Sequence, residues 1–154
     1  KPSLVLGNGR PFFVKLQNPH KRKLRLTSKN FNSLKINNLK IVSDSPKKPL
    51  KFTSSIKMRI STESVIEIKN LKKLKDLTNS PVVVYDVSGK RSEKIISSVK
   101  YKKTTQNEFS LFLKADGGLP IKRFVNGDNV SPGVSSIIDN SCKCLEFDFL
   151  DIHV

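Results

Sequence analysis

The sequence predicts an α+β domain built on a mixed, largely antiparallel sheet with short helices. Two observations predict it: stretches of alternating apolar and polar residues recur along the whole chain, while apolar residues at helical spacing occur only briefly. The chain has 154 residues, of which 36% are hydrophobic and 27% are charged. A chain of this length and composition forms one domain with a real core, so disorder throughout is excluded.

The predicted strands follow one another with short turns between them. In the clearest of them, Phe109, Leu111 and Leu113 alternate with polar residues and so share one face. This strand forms a hairpin with the one before it, around residues 104–107. The predicted strands are residues 4–6, 12–16, 39–42, 51–60, 81–85, 95–103, 108–114 and 144–149.

Three short helices are predicted between these strands. Thr27 or Ser28 can cap a helix that runs through Phe31 and Leu34. A second helix is indicated by apolar residues that recur every three positions from residue 65 to residue 74. Residues 132–138 are predicted to form one further helical turn.

The positive charge is concentrated in the first part of the chain. Lysine and arginine number 29 against 13 acids, which gives a net charge of +16. Residues 1–59 hold 15 of these bases and a single acid, Asp44, a balance of +14. Such a field indicates a polyanionic partner, with a merely solvated surface as the alternative. Nucleic acid is favoured over membrane, because no basic amphipathic helix and no run of about 18 apolar residues occurs.

The two cysteines, Cys142 and Cys144, lie two residues apart. This spacing puts both on one face of a strand, too close for an ordinary structural disulfide. With only His20 and His153 as further ligands of this kind, a tetrahedral zinc site is not predicted. We therefore predict reduced thiols, no metal, and a cytosolic or nuclear protein.

The segment Gly117–Val125 is the most informative of the chain. Paired glycines end the strand before it and permit positive φ or a close backbone approach. Lys122 then lies between the apolar residues Ile121 and Phe124. A lysine so placed either extends its amine to solvent from a strand end or pairs with a carboxylate, and the pattern alone favours the first interpretation.

Several ordered segments carry a resemblance to a known family. Leu6-Gly-Asn-Gly-Arg-Pro-Phe12, followed by Asn18-Pro-His20, resembles the catalytic domain of the archaeal and eukaryotic tRNA pseudouridine synthase family ten. Lys51-Phe52, residues 81–91, residues 117–128 and the closing strand 145–154 are similar to later segments of that family, in the same order. The resemblance covers nearly the whole chain and implies a pseudouridine-synthase-like fold.

The resemblance also implies a chemistry. The family converts a uridine in the TΨC arm of tRNA to pseudouridine, with no cofactor and no metal, starting from an aspartate. That aspartate is expected upstream of Lys1, so residues 1–154 would be a partial catalytic domain, inactive alone, without the upstream RNA-binding domain. The absence of an initiator Met agrees with a fragment or a processed chain.

Roles for individual residues follow from the matched positions. Lys122 would be the cation that pairs with the aspartate, and Phe52 would stack on the target uracil, with an ordinary core phenylalanine as the alternative. The resemblance implies tRNA as the partner, with no membrane and no obligatory protein partner. The expected location is the cytoplasm or, in a eukaryote, the nucleus. The residues expected to bind RNA are Asn8, Arg10, Lys21, Arg22, Lys23, Lys51, Lys90, Arg91 and Arg123.

The sequence departs from the family pattern at several places. Pro120 stands where tyrosine is usual, Phe52 or Thr53 replaces another tyrosine, and the turn after Asp128 is shortened. A basic, non-catalytic RNA-binding module with the same fold is therefore the alternative. An aspartate within about ten residues before Leu4 would favour the enzyme.

Overall fold

The computed structural model describes residues 2–23, 25 and 27–154. The chain divides into two compact units, the larger formed by Lys1–Arg10 with Lys51–Val154 and the smaller by Pro11–Leu50. Strands dominate and the helices are short, so the α+β prediction is confirmed. Among the described residues, no helix has the length and apolar character needed to cross a membrane.

The larger unit is built on one six-stranded antiparallel sheet with the strand order β7-β4-β5-β6-β3-β8. Its strands are β3 (Thr53–Thr62), β4 (Pro81–Tyr85), β5 (Arg91–Lys103), β6 (Glu108–Asp116), β7 (Val130–Ser131) and β8 (Cys142–His153). The longest pairings are those of β3 with β6 and with β8, where alternation of apolar residues defines one buried face. The predicted strand 81–85 has the predicted bounds, and the hairpin around residues 104–107 is confirmed.

The helices of the larger unit supply apolar side chains to that buried face. They are α1 (Ile68–Lys72), a 3-10 helix (Lys73–Leu77), α2 (Ile121–Asn126) and α3 (Val134–Ile137). Leu71, Leu74 and Phe124 are fully buried and pack with the sheet residues Ile60 and Phe109. The period of three that predicted a helix over residues 65–74 therefore corresponds to a short α-helix continued by a 3-10 helix, in which side chains also recur every third residue.

A short segment at the start of the chain pairs with the outer edge of β8. Val5 forms a parallel bridge with Phe149. The Leu6 N–H donates to the Phe149 carbonyl at 2.8 Å, and the Phe149 N–H donates to the Leu4 carbonyl at 2.9 Å. These bonds satisfy part of the otherwise unpaired edge of β8 and fix the direction of the segment as parallel to that strand.

The smaller unit contains a β-hairpin, β1 (Lys29–Phe31) with β2 (Leu34–Ile36). The helix predicted to begin at Thr27 or Ser28 is therefore wrong. Asn32, at the first turn position, has φ +47°, and asparagine tolerates this left-handed conformation, which turns the chain back on itself. The apolar spacing of Phe31 and Leu34 reflects a directly opposed cross-strand pair.

Two other predictions for the smaller unit are also wrong. Residues 12–16 and 39–42 are not strands in the described structure. Several of their apolar side chains are exposed, among them Phe12, Phe13 and Ile41. An apolar run forms a strand only when a neighbouring strand offers hydrogen bonds, and a single sequence does not state which runs have such a neighbour.

Candidate functional site

The paired glycines close the turn that follows β6. The Gly117 N–H donates to the Phe52 carbonyl at 2.8 Å. A Cβ at position 117 would lie only 2.4 Å from the Phe52 ring, so the ring rests directly on the glycine. Gly118 follows with φ +83°, beside the amine of Lys94. Glycine is thus required at position 117 by close packing and at position 118 by conformation.

The segment after this turn is the helix α2, and an extended segment with a strand-end lysine is therefore wrong. Ile121, Phe124 and Val125 are buried and anchor the helix on the core. Lys122 points away from this apolar stripe and is exposed. The apolar residues on either side of Lys122 therefore have the spacing of an amphipathic helix, in which they are buried while the lysine is exposed.

The charge of Lys122 reaches the edge strand β8. Burial raises the pKa of the Cys144 thiol above its ordinary value, and the positive charge of Lys122 acts in the opposite direction. Cys144 is buried and lies opposite Ile60 of β3. The charge of Lys122 therefore acts on Cys144, which pairs with Ile60 near the end of β3.

Phe52 lies at the other end of β3. It directly precedes the strand, whereas Ile60, the partner of Cys144, is eight residues further on. The Phe52 ring contacts Gly117, and Lys122 follows that glycine by five residues, so the Gly-Gly turn links the two candidate residues.

The Leu6–Arg10 loop is fixed to the end of β8 by a carboxylate. Asp151 accepts the backbone N–H of Asn8 at 2.9 Å, and this bond lowers the pKa of Asp151 below its ordinary value. A Cβ at Gly7 would lie 2.4 Å from the same carboxylate oxygen. The guanidinium of Arg10 lies over the Phe149 ring, 5.5 Å from its centroid. The glycine-rich motif is thus a turn held against β8, with the Asn8 and Arg10 side chains at the surface.

The remaining residues predicted to bind RNA lie at several surfaces. Lys21, Arg22 and Lys23 are exposed in the smaller unit, while Lys51 and Lys90 are exposed in the larger one. Each of these lysines and arginines presents an accessible charge, as a phosphate contact requires.

Two of the predicted RNA-binding arginines are engaged within the protein. Arg91 pairs with Glu93. Arg123 donates to the backbone carbonyls of Tyr85 and, at 3.0 Å, of Asp128. Arg123 therefore ties the end of α2 to strand β4, a structural use of the guanidinium that its position in the sequence did not indicate.

Leu145 is a residue that the sequence reasoning missed. It follows Cys144 at an irregularity in the pairing of β8 with β3, and its side chain is 40% exposed. Leu145 is thus an exposed apolar residue directly after Cys144, the buried thiol whose pKa the charge of Lys122 acts to lower. Leu145 has no partner residue on β3, because the bulge lies between Cys144 and Glu146. The alternation of apolar and polar residues in the sequence does not predict such a bulge.

The two cysteines are buried, and neither forms a disulfide. Burial raises the pKa of Cys142 to about 11, so this thiol stays protonated near neutral pH. No cluster of three or more histidine, cysteine or acidic side chains that could hold a metal ion occurs among the described residues.

Comparison with known proteins decides the family. Residues 3–153 match the protein family described as Pus10, C-terminal. The chain belongs to this family. The tRNA pseudouridine synthase Pus10 of Nitrosopumilus maritimus is 65% identical over 154 residues, which are 100% of this chain and 40% of that protein. The corresponding protein of Cenarchaeum symbiosum is 35% identical over 153 residues, 99% of this chain and 38% of that protein.

More distant relatives extend the family to eukaryotes. The tRNA pseudouridine synthase Pus10 of Xenopus laevis is 28% identical over 172 residues, covering 97% of this chain and 33% of that protein. The chain thus spans about two fifths of the length of its archaeal relatives. The resemblance inferred from the ordered motifs is confirmed at the level of the family.

The fold also has a match among solved structures. A chain in the crystal structure of a Cbf5-Nop10-Gar1 complex superposes with a TM-score of 0.53 and 6% identity, covering 62% of this chain and 29% of that chain. The shared feature is the fold, which agrees with the predicted architecture.

Proposed function

We propose that this chain is the part of a tRNA pseudouridine synthase catalytic domain that supplies the cation of the active site. The observation that carries the proposal is the parallel bridge between Val5 and Phe149. In a parallel pair, residues that precede Val5 run beside residues that precede Phe149. A chain segment leading into Leu4 is thereby directed along β8 toward Cys144, where the charge of Lys122 acts.

This direction gives Lys122 a partner in the proposed enzyme. An aspartate a few residues before Leu4 would lie near the start of β8, within reach of a long lysine side chain. A carboxylate removed from water rises in pKa unless a cation lies beside it. Lys122 would therefore keep the aspartate ionised, as a nucleophile or base requires.

The reaction itself rearranges one nucleotide without a co-reactant. The bond between N1 of uracil and C1′ of ribose breaks, the base turns, and a bond forms between C5 and C1′. The proton on C5 leaves to solvent, and a proton is taken up at N1, so the atoms balance. The carboxylate starts the reaction, and the positive charge of Lys122 stabilises the negative charge of that carboxylate.

The target uridine has to leave its stack in the tRNA. Flipping out a base costs a few kcal/mol, and stacking on an aromatic ring recovers about 1–3 kcal/mol. Phe52 is our candidate for that ring. Because Gly117 covers one side of it, a base could stack only from the opposite side. The exposed side chain of Leu145 on β8 is a second apolar contact that we propose for the base.

A non-catalytic RNA-binding module is the second candidate function, favoured by the charge of the smaller unit. Residues 11–50 hold ten lysines and arginines and one acid. Phosphate contacts from such a unit support tRNA binding under either function, since they position the RNA without selecting a base. The two functions differ only in whether the carboxylate is present beside Lys122.

The experiment compares two lengths of the same protein. The 154-residue chain and a chain extended upstream to the length of the archaeal relatives are each incubated with a tRNA transcript that carries tritium at uracil C5. We expect tritium release from the extended chain and none from the 154-residue chain, although both bind the tRNA. Turnover by the short chain would refute the placement of the carboxylate, and inactivity of both would favour the binding module.

A further inference from the structure

The face of the six-stranded sheet opposite the core carries a group of cations around one aromatic ring. On β6, Phe112 is half-buried and points to this outer face, because Leu111 and Leu113 point into the core. Lys57 of β3 and Lys100 of β5 are its direct neighbours on either side. The three side chains form a row across the sheet, lysine, phenylalanine and lysine.

The rows on either side of this one add further positive charge. Lys114 lies two residues from Phe112 on β6, and Lys102 lies two residues from Lys100 on β5, so both share the outer face. We call Lys57, Lys100, Lys102, Phe112 and Lys114 the outer platform. All four lysines are exposed. With strands about 4.8 Å apart and same-face residues about 6.6 Å apart, the platform measures roughly 10 by 13 Å.

The charges of the platform are available to a ligand. The amine of Lys57 lies 5.6 Å from the centroid of the Phe112 ring, as a cation–π contact. Among the described residues, Lys100, Lys102 and Lys114 make no ion pair with a carboxylate. Arg59, on the same face, differs because Glu108 and Glu146 lie 3.6 and 3.5 Å from it. The positive field is therefore centred on β5 and β6, next to the aromatic ring.

We propose that the outer platform binds single-stranded RNA, with one base stacked on Phe112 and the flanking phosphates on Lys100, Lys102 and Lys114. A phenylalanine on a solvent-facing sheet surface contributes nothing to the core. Its ring can stack on a base, and the lysines on both sides of it can bind the phosphates that flank that base. A duplex would not fit this chemistry, because its bases are already stacked on one another and cannot reach a ring on a flat sheet.

This surface is distinct from the proposed catalytic one. Lys122 belongs to α2, which packs with its buried residues on the core face, whereas the platform lies on the reverse of the sheet. The inference goes beyond the proposed function and does not depend on it, since it requires neither the aspartate nor turnover.

The test uses the absence of tryptophan from this sequence, which makes a single introduced indole a local reporter. Phe112→Trp is titrated with a twelve-nucleotide oligouridylate, and fluorescence is compared with the anisotropy of the labelled RNA. We expect the RNA to quench the tryptophan fluorescence, and the quenching to reach saturation at the same concentrations as the anisotropy. The matched control is Ile68→Trp, an exposed position beside Lys69 and Lys72 on α1, and here we expect little quenching.

Two further arms separate stacking from charge. Blunt duplex RNA and inorganic polyphosphate should each leave the Phe112→Trp fluorescence nearly unchanged at concentrations that saturate binding. Equal quenching by polyphosphate, or none by oligouridylate, would overturn the proposal.

A second set of variants keeps Phe112 and so does not depend on the folding of the tryptophan variant. Replacing Lys100, Lys102 and Lys114 with glutamine should weaken oligouridylate binding about tenfold or more and reduce the salt slope by about two, at roughly 0.7 per phosphate contact. The control replaces Lys72, Lys73 and Lys75 and should change the affinity less than about twofold. Equal effects of the two triple variants would contradict a specific platform.

Discussion

At the scale of single residues, glycine is required at two positions for two different reasons. Gly117 has no free space, since the Phe52 ring occupies the place where a side chain would begin. Gly89 differs, because nothing lies within 4 Å of its Cβ position while its φ is +82°. The first glycine is required by packing and the second by conformation, and these two causes can be separated by experiment.

Gly117→Ala is expected to destabilise the fold by about 1–3 kcal/mol, because the ring or the backbone must move. Gly89→Ala should cost about 1–2 kcal/mol through conformation alone. In a Phe52→Ala background the cost of Gly117→Ala should disappear, whereas that of Gly89→Ala should persist. Urea unfolding of the double-mutant cycles measures this coupling, and additivity of Gly117→Ala with Phe52→Ala would contradict the contact.

The protonation state of Asp151 is expected to change the stability of the folded Leu6–Arg10 loop. Its hydrogen bond from the Asn8 N–H lowers its pKa below the ordinary 3.8. The bond thus stabilises the folded loop above that pH, and the contribution is lost as the pH falls through the lower pKa of the folded state.

We expect the Asn8 amide resonance in NMR spectra to shift with a midpoint below pH 3.8, the ordinary value for this carboxyl. Asp151→Asn should abolish the titration, and Asp139→Asn, at an exposed site, should leave it unchanged. A midpoint above the ordinary value would mean that the carboxylate is not held by the loop.

At the scale of elements, the accuracy of the sequence-based predictions depended on burial. The strand over residues 81–85 was predicted with its bounds, because a continuous apolar run after proline matches a buried strand. The hairpin of β1 and β2 was missed, because three-residue strands with exposed side chains carry no periodicity. Lys122 was identified by a motif and not by periodicity, so its location on a helix emerged only from the structure.

Arg123 and Lys122 are neighbours on α2, but their replacement is expected to change the stability of the fold by different amounts. Arg123→Gln should lower the free energy of unfolding by about 1–3 kcal/mol, because charge-assisted hydrogen bonds to the carbonyls of Asp128 and Tyr85 are lost. Lys122→Gln should change it by less than about 0.5 kcal/mol, as expected for an exposed side chain. Thermal and urea unfolding measure both, and equal effects would show that Arg123 is not a structural tie.

At the scale of the whole molecule, we expect charge to govern the proposed association with RNA. With a net charge of +16, the chain should bind tRNA chiefly through phosphates. If about six contacts form, the affinity should fall by roughly a thousandfold between about 50 and 200 mM salt. Replacing Lys21, Arg22 and Lys23 with alanine should weaken binding to all RNAs about equally, because phosphate contacts position without specifying. An affinity independent of salt would contradict this account.

The central claim, that Lys122 keeps a catalytic carboxylate ionised, is tested most directly by turnover of the upstream-extended protein. Lys122→Met keeps the apolar stem and removes only the charge, so the circular dichroism spectrum should be unchanged while tritium release from saturating tRNA falls by orders of magnitude. Lys122→Arg should retain part of the activity, and Lys75→Met, at an exposed position of the 3-10 helix, should retain all of it. Full activity of Lys122→Met would contradict the account.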